Sequence, residues 1–259
     1  VTITITDLDE APTDIALSAT TVNENVAIGT TVATVTVSDP DAGDDTGGDY
    51  VAADMTISGT DGADFSDADS GSTIILKMAV VPNFEDDASL AVTLTVDDAD
   101  DSSLNYAESF TITVTDLDEA ATDIALSASA VNENVAIGTT VATVTVSDPD
   151  AGDDTGGDYV AADMAISGTD GGDFSDADSG SNLLLKMAVV PDYETDASLA
   201  VTLTVDDPED SSLTYAESFT ITVSDVDEAA TDIALSASTV AENVAIGTTV
   251  ATVTVSDPD

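Results

Sequence analysis

The sequence repeats itself at intervals of 109 residues, and this repeat is the feature that most limits how the chain can fold. The segment DLDEAPTDIALSA begins at Asp7, and near-copies of it begin at Asp116 and Asp225. Between residues 7–115 and 116–224, 94 of 109 positions are identical. A repeat of this length has the size of a domain, so it predicts consecutive folded units rather than a solenoid of small motifs.

The repeat predicts how the 259 residues are divided. Residues 1–10 are expected to be the last strand and the linker of a preceding repeat. Two whole repeats follow, at 11–119 and 120–228, and residues 229–259 are expected to hold the opening strands of a further, truncated repeat.

Within each repeat, apolar residues recur at every second position. Val and Leu alternate with Thr and Ala in residues 90–96, and Phe, Ile and Val alternate with Thr in residues 110–114. This period predicts half-buried strands, and clusters of Gly, Asp and Ser at 41–49, 59–63 and 97–103 separate them. About seven short strands in a unit of about 109 residues are typical of a two-sheet sandwich. We therefore predict an all-β fold of tandem immunoglobulin-like, Greek-key β-sandwich repeats, arranged as an elongated rod.

The composition limits which partners and activities the chain can have. It contains 53 Asp and Glu residues against two Lys and Arg together, and it has no His, Cys or Trp. Nucleic acid is excluded as a partner because almost no cations are present to neutralise phosphates. No run approaches the roughly 18 apolar residues of a membrane span, so we expect no membrane insertion in this segment. Because no side chain titrates near neutral pH and no Trp can hold a sugar, we predict that the chain is not an enzyme.

Several motifs of each unit, taken in order, resemble those of a cadherin repeat. They are Asn23-Glu24-Asn25 with Gly29-Thr30, Asp39-Pro40-Asp41-Ala42-Gly43, the residues Gly62, Phe65 and Gly71, Asn83-Phe84-Glu85 with its counterpart Asp192-Tyr193-Glu194, and the linker Asp7-Leu8-Asp9-Glu10-Ala11-Pro12. The chain resembles the cadherin-like tandem repeats of large bacterial and archaeal surface adhesins. The resemblance implies a secreted protein located outside the cell or on its surface.

The resemblance also implies calcium as the cofactor, because cadherins hold a calcium cluster at each junction between repeats. The ligands of the first junction would be Asp7, Asp9, Glu10, Asp39 and Asp41. Those of the second would be Glu24, Glu85, Asp116, Asp118, Glu119, Asp148 and Asp150, with Asn83 in place of an acid. Those of the third would be Glu133, Asp192, Glu194, Asp225, Asp227, Glu228, Asp257 and Asp259.

An acid at the end of the penultimate strand is expected to join the cluster of its own repeat. It is either Asp98 or Asp100 in the first whole repeat and either Asp207 or Glu209 in the second. The linker is one residue shorter than in the family, so the number of ions per junction stays open. Oxygen ligands without His or Cys independently favour Ca²⁺ over zinc or copper. The spacing Asp64-x-x-Asp67-x-Asp69 is a weaker candidate for an extra site, against the alternative of a solvated loop.

These observations favour a calcium-rigidified structural spacer of a long extracellular adhesin or filament. Two alternatives remain: the repeats themselves mediate calcium-dependent homophilic or glycan binding, or they polymerise head to tail into a filament. In the spacer, contacts with copies of itself or with cell-surface glycans and proteins would be made by regions outside this sequence.

Overall fold

The computed structural model describes residues 2–3, 9–40, 50–71, 73–98, 101–150, 159–180, 182–208 and 210–259. The chain divides into two compact units, Val1–Leu117 and Asp118–Asp259. The finer boundaries predicted after residues 10, 119 and 228 stay predictions. Most of the strand expected at residues 1–6, the loop at 41–49 and four candidate ligands lie outside the described residues; the four are Asp7, Asp41, Asp100 and Glu209.

The first unit is a sandwich of two four-stranded sheets. Its strands are β1 (Asp14–Leu17), β2 (Thr21–Asn23), β3 (Thr31–Ser38), β4 (Met55–Ser58), β5 (Phe65–Asp69), β6 (Ile74–Met78), β7 (Ser89–Asp97) and β8 (Asn105–Thr115). One sheet has the order β1-β3-β6-β5 and the other has the order β2-β8-β7-β4. The strand pairs are antiparallel except β2 and β8, which run parallel, so the opening segment of the chain contributes to both sheets.

The second unit contains the same sandwich followed by a two-stranded pair. Its strands are β9 (Asp123–Leu126), β10 (Ala130–Asn132), β11 (Thr140–Ser147), β12 (Met164–Ser167), β13 (Phe174–Ser179), β14 (Asn182–Met187), β15 (Ser198–Asp206), β16 (Thr214–Ser224), β17 (Asp232–Leu235) and β18 (Val253–Ser256). The sheet orders are β9-β11-β14-β13 and β10-β16-β15-β12, with β17 paired to β18. The predicted all-β fold of tandem sandwiches is confirmed.

The helices of the described residues are single 3-10 turns. They are Ala52–Asp54, Gly62–Asp64, Ala161–Asp163 and Gly171–Asp173. Within these residues, no helix has the length and apolar character that crossing a membrane requires.

The alternation of residue types along β15 puts one face of this strand into the core. Leu199, Val201, Leu203 and Val205 are each at most 4% exposed, whereas the residues between them reach the other face. Burying a side chain of this size stabilises the fold by about 1.5–3 kcal/mol. The period-two pattern of the sequence therefore reports directly on which side chains form the sandwich interior.

One inward-facing position of β16 is polar. Glu217 is half-buried, and its Oε2 accepts a hydrogen bond from the backbone N–H of Ile124 at 3.1 Å. Glu108 makes the matching contact with Ile15 at 3.2 Å in the first unit. The carboxylate satisfies a backbone donor on the opposite sheet, so it joins the two sheets where β9 passes β16.

The backbone of a neighbouring strand comes so close to the chain after β12 that one position there requires glycine. Gly168 has φ +102, and a Cβ at this position would lie 2.9 Å from the carbonyl oxygen of Ala200 on the neighbouring strand β15. Gly59 repeats this arrangement in the first unit, with φ +106 and 2.9 Å to the carbonyl oxygen of Ala91. Both the backbone conformation and the space therefore require glycine.

Glycine-to-alanine substitutions at three positions separate the requirement for a positive φ from the requirement for space. We expect Gly168→Ala to lower the free energy of unfolding by about 2 kcal/mol or more, because a backbone clash adds to the unfavourable φ. Gly138→Ala should cost only about 1 kcal/mol, since φ is +86 but the space around it is open. Gly172→Ala is the control, because Ala63 already occupies the equivalent place in the first unit. Urea unfolding measures all three, and equal costs for Gly168→Ala and Gly172→Ala would contradict the argument.

Candidate metal centre

The carboxylate of Glu133 is a fixed point at the end of β10. Glu133 is 3% exposed; its Oε2 accepts the N–H of Tyr193 at 2.8 Å, and its Oε1 accepts the N–H of Val226 at 2.7 Å. Its own N–H donates to the carbonyl oxygen of Ser224 at the end of β16 at 3.0 Å. One side chain thus joins β10, the turn at Tyr193 and the linker that follows β16, and each oxygen keeps a lone pair for a further contact.

The residue after this glutamate makes the turn that places it. Asn134 has φ 58, a left-handed conformation that Asn tolerates better than most residues. Its N–H donates to the carbonyl oxygen of Pro191 at 2.9 Å, and its side-chain Nδ2 donates to Oε1 of Glu228. The local structure therefore explains the Glu-Asn pair. The carboxylate of Glu133 is buried, whereas Asn134 adopts the left-handed conformation of the turn and its side-chain amide contacts a second acid.

Four acids of the second unit converge at this place. Glu133, Glu194, Glu228 and Asp259 each offer a carboxylate oxygen, and the four oxygens lie within 4.8 Å of one another. The N–H of Glu228 donates to Oδ2 of Asp259 at 2.6 Å, which links the linker to the end of the described chain. Ca²⁺–oxygen distances are about 2.3–2.6 Å, so ligands on opposite sides of one ion lie about 4.6–5.2 Å apart. The spread of the four oxygens fits ligands of a single ion.

The electrostatics of this group also favour a cation. Oε2 of Glu228 is buried and has no hydrogen-bond partner among the described residues. Loss of hydration is the largest cause that raises the pKa of Glu194, and the negative charges of Glu133, Glu228 and Asp225 raise it further. The two lysines, Lys77 and Lys186, lie on β6 and β14, which carry none of the four acids. The acids present a hard oxygen donor set that fits Ca²⁺.

The first unit builds the corresponding group from its own residues, which follow β2, lie in a turn and follow β8. Glu24 is 1% exposed; its Oε2 accepts the N–H of Phe84 at 3.0 Å, and its Oε1 accepts the N–H of Leu117 at 2.7 Å. Glu24, Glu85 and Asp116 offer oxygens within 4.8 Å of one another. The linker acid differs between the two groups, because Asp116 stands here where Glu228 takes part in the second unit.

A second set of acids occupies the start of the second unit. Asp150 is 3% exposed; its Oδ2 accepts the N–H of Glu119 at 2.6 Å, and its N–H donates to Oδ1 of Asp148 at 3.1 Å. The hydroxyl of Tyr159 donates to Oδ2 of Asp148 and lies 3.3 Å from Oδ2 of Asp207. From the sequence, Tyr159 is expected in the core of the sandwich or at its rim, and its ring does pack against the core. The sequence carries no local signal for the contact of its hydroxyl with the acids, beyond its place after the Asp-x-Asp turn.

The tyrosine is a proton donor in this arrangement. Burial is the main cause that raises the pKa of Tyr159, and the hydrogen bond and negative charge of Asp148, with the charge of Asp207, raise it further. Tyr50 has the same environment between Asp39 and Asp98, and its pKa is raised for the same reasons. The phenol therefore keeps its proton throughout the physiological range.

The structure groups some of the predicted ligands and leaves others outside the converging sets. Of the eight acids expected at the third junction, Glu133, Glu194, Glu228 and Asp259 converge. Asp192, Asp225, Asp227 and Asp257 are not in this set, and Asp192 instead accepts hydrogen bonds from the backbone and the hydroxyl of Thr195.

The acids expected at the second junction are divided between the units. Glu24, Glu85 and Asp116 belong to the first unit, and Asp118, Glu119, Asp148 and Asp150 belong to the second. Their convergence across the units stays a prediction, as do the roles of Asp9, Glu10 and Asp39 at the first junction. The weaker candidate Asp64-x-x-Asp67-x-Asp69 forms no converging acid group among the described residues, and Asp69 accepts the N–H of Ala52 at 2.6 Å.

Solved structures, rather than known sequences, show what the chain is similar to. No family model and no curated protein sequence matches the chain. Among solved structures, protocadherin gamma B2 extracellular cadherin domains 1-5 have a TM-score of 0.62 and 21% identity, over 98% of this chain and 47% of that one. The fold is that of cadherin extracellular domains.

Two further cadherin structures agree. Mouse cadherin-23 EC22-24 has a TM-score of 0.62 and 21% identity, over 97% of this chain and 79% of that one. Human protocadherin-24 EC1-2 has a TM-score of 0.57 and 17% identity, over 84% of this chain and 100% of that one. The chain spans 56%, 39% and 47% of three longer protocadherin chains that it matches. At these identities the likeness establishes the cadherin fold, and the relation to bacterial or archaeal adhesins stays a prediction.

The raised pKa of Glu194 in this cadherin-type repeat predicts a pH dependence in metal-free protein. Because the folded state binds this proton more tightly than the unfolded state, the charged form opposes folding. That destabilisation is absent below the ordinary Glu pKa of about 4.3 and develops as pH rises through the raised folded-state value. In EDTA, Glu194→Gln should therefore melt at a higher temperature than the wild type at neutral pH, and this gain should vanish at acidic pH.

The control for this prediction is Asp123→Asn, which removes one negative charge from an exposed position on β9. Thermal unfolding at a series of pH values in EDTA compares the two variants. An equal gain from both would show that general charge, rather than the converging acids, sets the pH dependence.

Proposed function

We propose that the chain is a calcium-rigidified structural spacer of a long extracellular adhesin or filament, with calcium held at the junctions between its repeats. The observation that carries the proposal is the convergence of Glu133, Glu194, Glu228 and Asp259, with a buried oxygen of Glu228 that finds no hydrogen-bond donor in the described part of the chain. Four carboxylates in this arrangement need a cation to compensate their charge.

The ligands come from parts of the chain that an ion would join. Glu133 and Glu194 belong to the whole repeat, whereas Glu228 lies in the linker and Asp259 follows β18 of the next repeat. A bound Ca²⁺ would tie the linker and the opening strands of the next repeat to the repeat before them. The same acids recur in the sequence with the 109-residue period, so each joint of the array would be stiffened by a comparable set of ligands.

Without a cation, the same acids would push the joint open. Two unit charges 4 Å apart repel by about 4 kcal/mol at an effective dielectric constant of about 20. Calcium removal should therefore loosen the joint while each sandwich keeps its apolar core. A location outside the cell would supply calcium at the concentration that such a site needs, since the sites of extracellular modules bind calcium in the range of about 10⁻⁴–10⁻³ M.

The composition supports a spacer rather than a binding surface. The net charge of −51 favours a solvated surface, and aromatic residues make up only 4% of the chain. Aromatic and Arg side chains supply most interface hot spots, and the sequence has no Trp and only two basic residues. Recognition of other copies, glycans or proteins is assigned to regions outside this sequence, and no catalytic role is proposed.

Calcium binding can be tested with a variant that has little structural role. Glu194 is exposed, so Glu194→Gln should leave the melting temperature in EDTA no lower than that of the wild type. We expect it to weaken calcium binding about tenfold or more and to reduce the rise in melting temperature that millimolar calcium produces. Calorimetric titration and thermal unfolding measure both effects, with Asp123→Asn as the control. Wild-type affinity in Glu194→Gln would remove this acid from the ligand set.

The spacer itself is tested by small-angle scattering of residues 1–259 in millimolar calcium and then in excess EDTA. We expect calcium to give the more extended and better defined particle, because the joints are locked. A scattering profile that does not change with calcium would contradict the ion-locked joint, even if the sandwich fold remained. Growth of particle length with protein concentration would instead favour head-to-tail assembly.

A further inference from the structure

The second strand of each repeat is bound to the last strand of the same repeat. In the second unit, residues 130–132 of β10 lie parallel to residues 222–224 at the end of β16. The pairing continues beyond β10, because the N–H of Glu133 donates to the carbonyl oxygen of Ser224 at 3.0 Å. The side chain of Glu133 extends it once more by accepting the N–H of Val226 at 2.7 Å. The backbone contact between β10 and β16 therefore reaches into the linker.

The first strand of the repeat is also bound to the last strand, by a side chain. β9 lies at the edge of its sheet beside β11, and β16 belongs to the opposite sheet. The N–H of Ile124 on β9 donates to Oε2 of Glu217 on β16 at 3.1 Å. Ile124 is 1% exposed, so little water is available to replace this acceptor. Glu217 thus joins the first and last strands directly.

Both contacts recur in the first unit. Residues 21–23 of β2 lie parallel to residues 113–115 of β8, and the N–H of Glu24 donates to the carbonyl oxygen of Thr115 at 3.0 Å. Oε2 of Glu108 accepts the N–H of Ile15 at 3.2 Å. The recurrence makes this arrangement a property of the repeat.

The direction of these strands decides how the repeat responds to tension. The chain enters the repeat through β9 and β10 and leaves it at the end of β16. Because β10 and β16 are parallel, tension on the two ends of the repeat pulls these strands in opposite directions along their own axes. The hydrogen bonds run across the strand pair, so they resist this sliding together. Strands that are pulled apart sideways lose the same bonds one after another, at a lower force.

We propose that each repeat resists tension through a strand clamp, formed by the parallel pair β10–β16 and by the contact of Glu217 with Ile124. In the first unit, β2–β8 and the contact of Glu108 with Ile15 have the same roles. Force would pass from β9 and β10 into β16 without crossing the strands between them. The inference rests on the proposed function in one respect, that a spacer in a long array is placed under tension. The contact of Glu217 includes none of the converging acids.

The first test removes the carboxylates of the strand clamp and keeps the size of the side chains. The double variant Glu108→Met and Glu217→Met leaves a buried backbone donor without its acceptor in each repeat. When residues 1–259 are pulled from their two ends in optical tweezers in EDTA, we expect both repeats of this variant to unfold about tenfold faster or more than the wild type at the same force. Unfolding at the wild-type rate would overturn the proposal.

A matched control separates mechanical resistance from thermal stability. Met55 and Met164 are buried on β4 and β12, which lie at the sheet edges farthest from β2 and β10. The double variant Met55→Ala and Met164→Ala should melt about 5 °C or more below the wild type, because each change leaves a cavity. Under force it should unfold within about threefold of the wild-type rate, since these strands lie outside the clamp. If the unfolding rates of both double variants under force simply followed their melting temperatures, the clamp would be excluded.

The direction of pulling gives a test that keeps the clamp residues unchanged. The chain has no cysteine, so pairs of introduced cysteines can serve as the attachment points. Asp123→Cys with Ala229→Cys pulls the second repeat along its strands, whereas Ala130→Cys with Thr220→Cys pulls β10 away from β16; all four positions are exposed. We expect the first pair to need the higher force. Equal forces would overturn the proposal.

These experiments are made in EDTA, so they do not depend on calcium binding. If scattering showed no effect of calcium, the proposed ion-locked spacer would fail, and the pulling experiments would still decide whether the strand clamp exists. If calcium stiffened the array but the two pulling directions gave equal forces, the spacer would stand and the clamp would be wrong.

Discussion

The arrangement of acids depends on one buried carboxylate held by backbone N–H groups. Glu133 accepts hydrogen bonds from Tyr193 and Val226, and its own N–H is bound to Ser224. Three separate parts of the repeat are thereby tied to a single residue that is 3% exposed. The other acids gather around a point that is already fixed, so their mutual repulsion cannot be relieved by moving this one away.

The sandwich topology explains why this point lies where the chain leaves the repeat. The opening segment switches sheets between β9 and β10, and β10 pairs in parallel with β16. Parallel pairing brings the ends of β10 and β16 together, so the acid after β10 lies beside the linker that follows β16. In the first unit, Glu24 occupies the corresponding place after β2 for the same reason.

The shortage of basic side chains decides how negative charge is compensated. With two lysines against 53 acids, few carboxylates can be paired with a cationic side chain. The structure uses backbone N–H groups, as at Glu133 and Asp150, and a tyrosine hydroxyl, as at Asp148. Where these donors are insufficient, as at Oε2 of Glu228, the proposed calcium ion takes their place.

The sequence by itself determined the repeat, the strands and the apolar face, because period-two alternation is a local property that survives in every copy, as Leu199 and Val201 show. It also pointed to Glu133, Glu194, Glu228 and Asp259 as acids of one group, through motifs that the cadherin resemblance connects. Only the tertiary structure turned Asp192 towards Thr195, placed Glu217 against Ile124, 93 residues earlier in the chain, and set Tyr159 beside Asp207, 48 residues later. Such contacts depend on which strands pair and in which register, and a side chain's partner across the sandwich leaves no trace in the residues next to it.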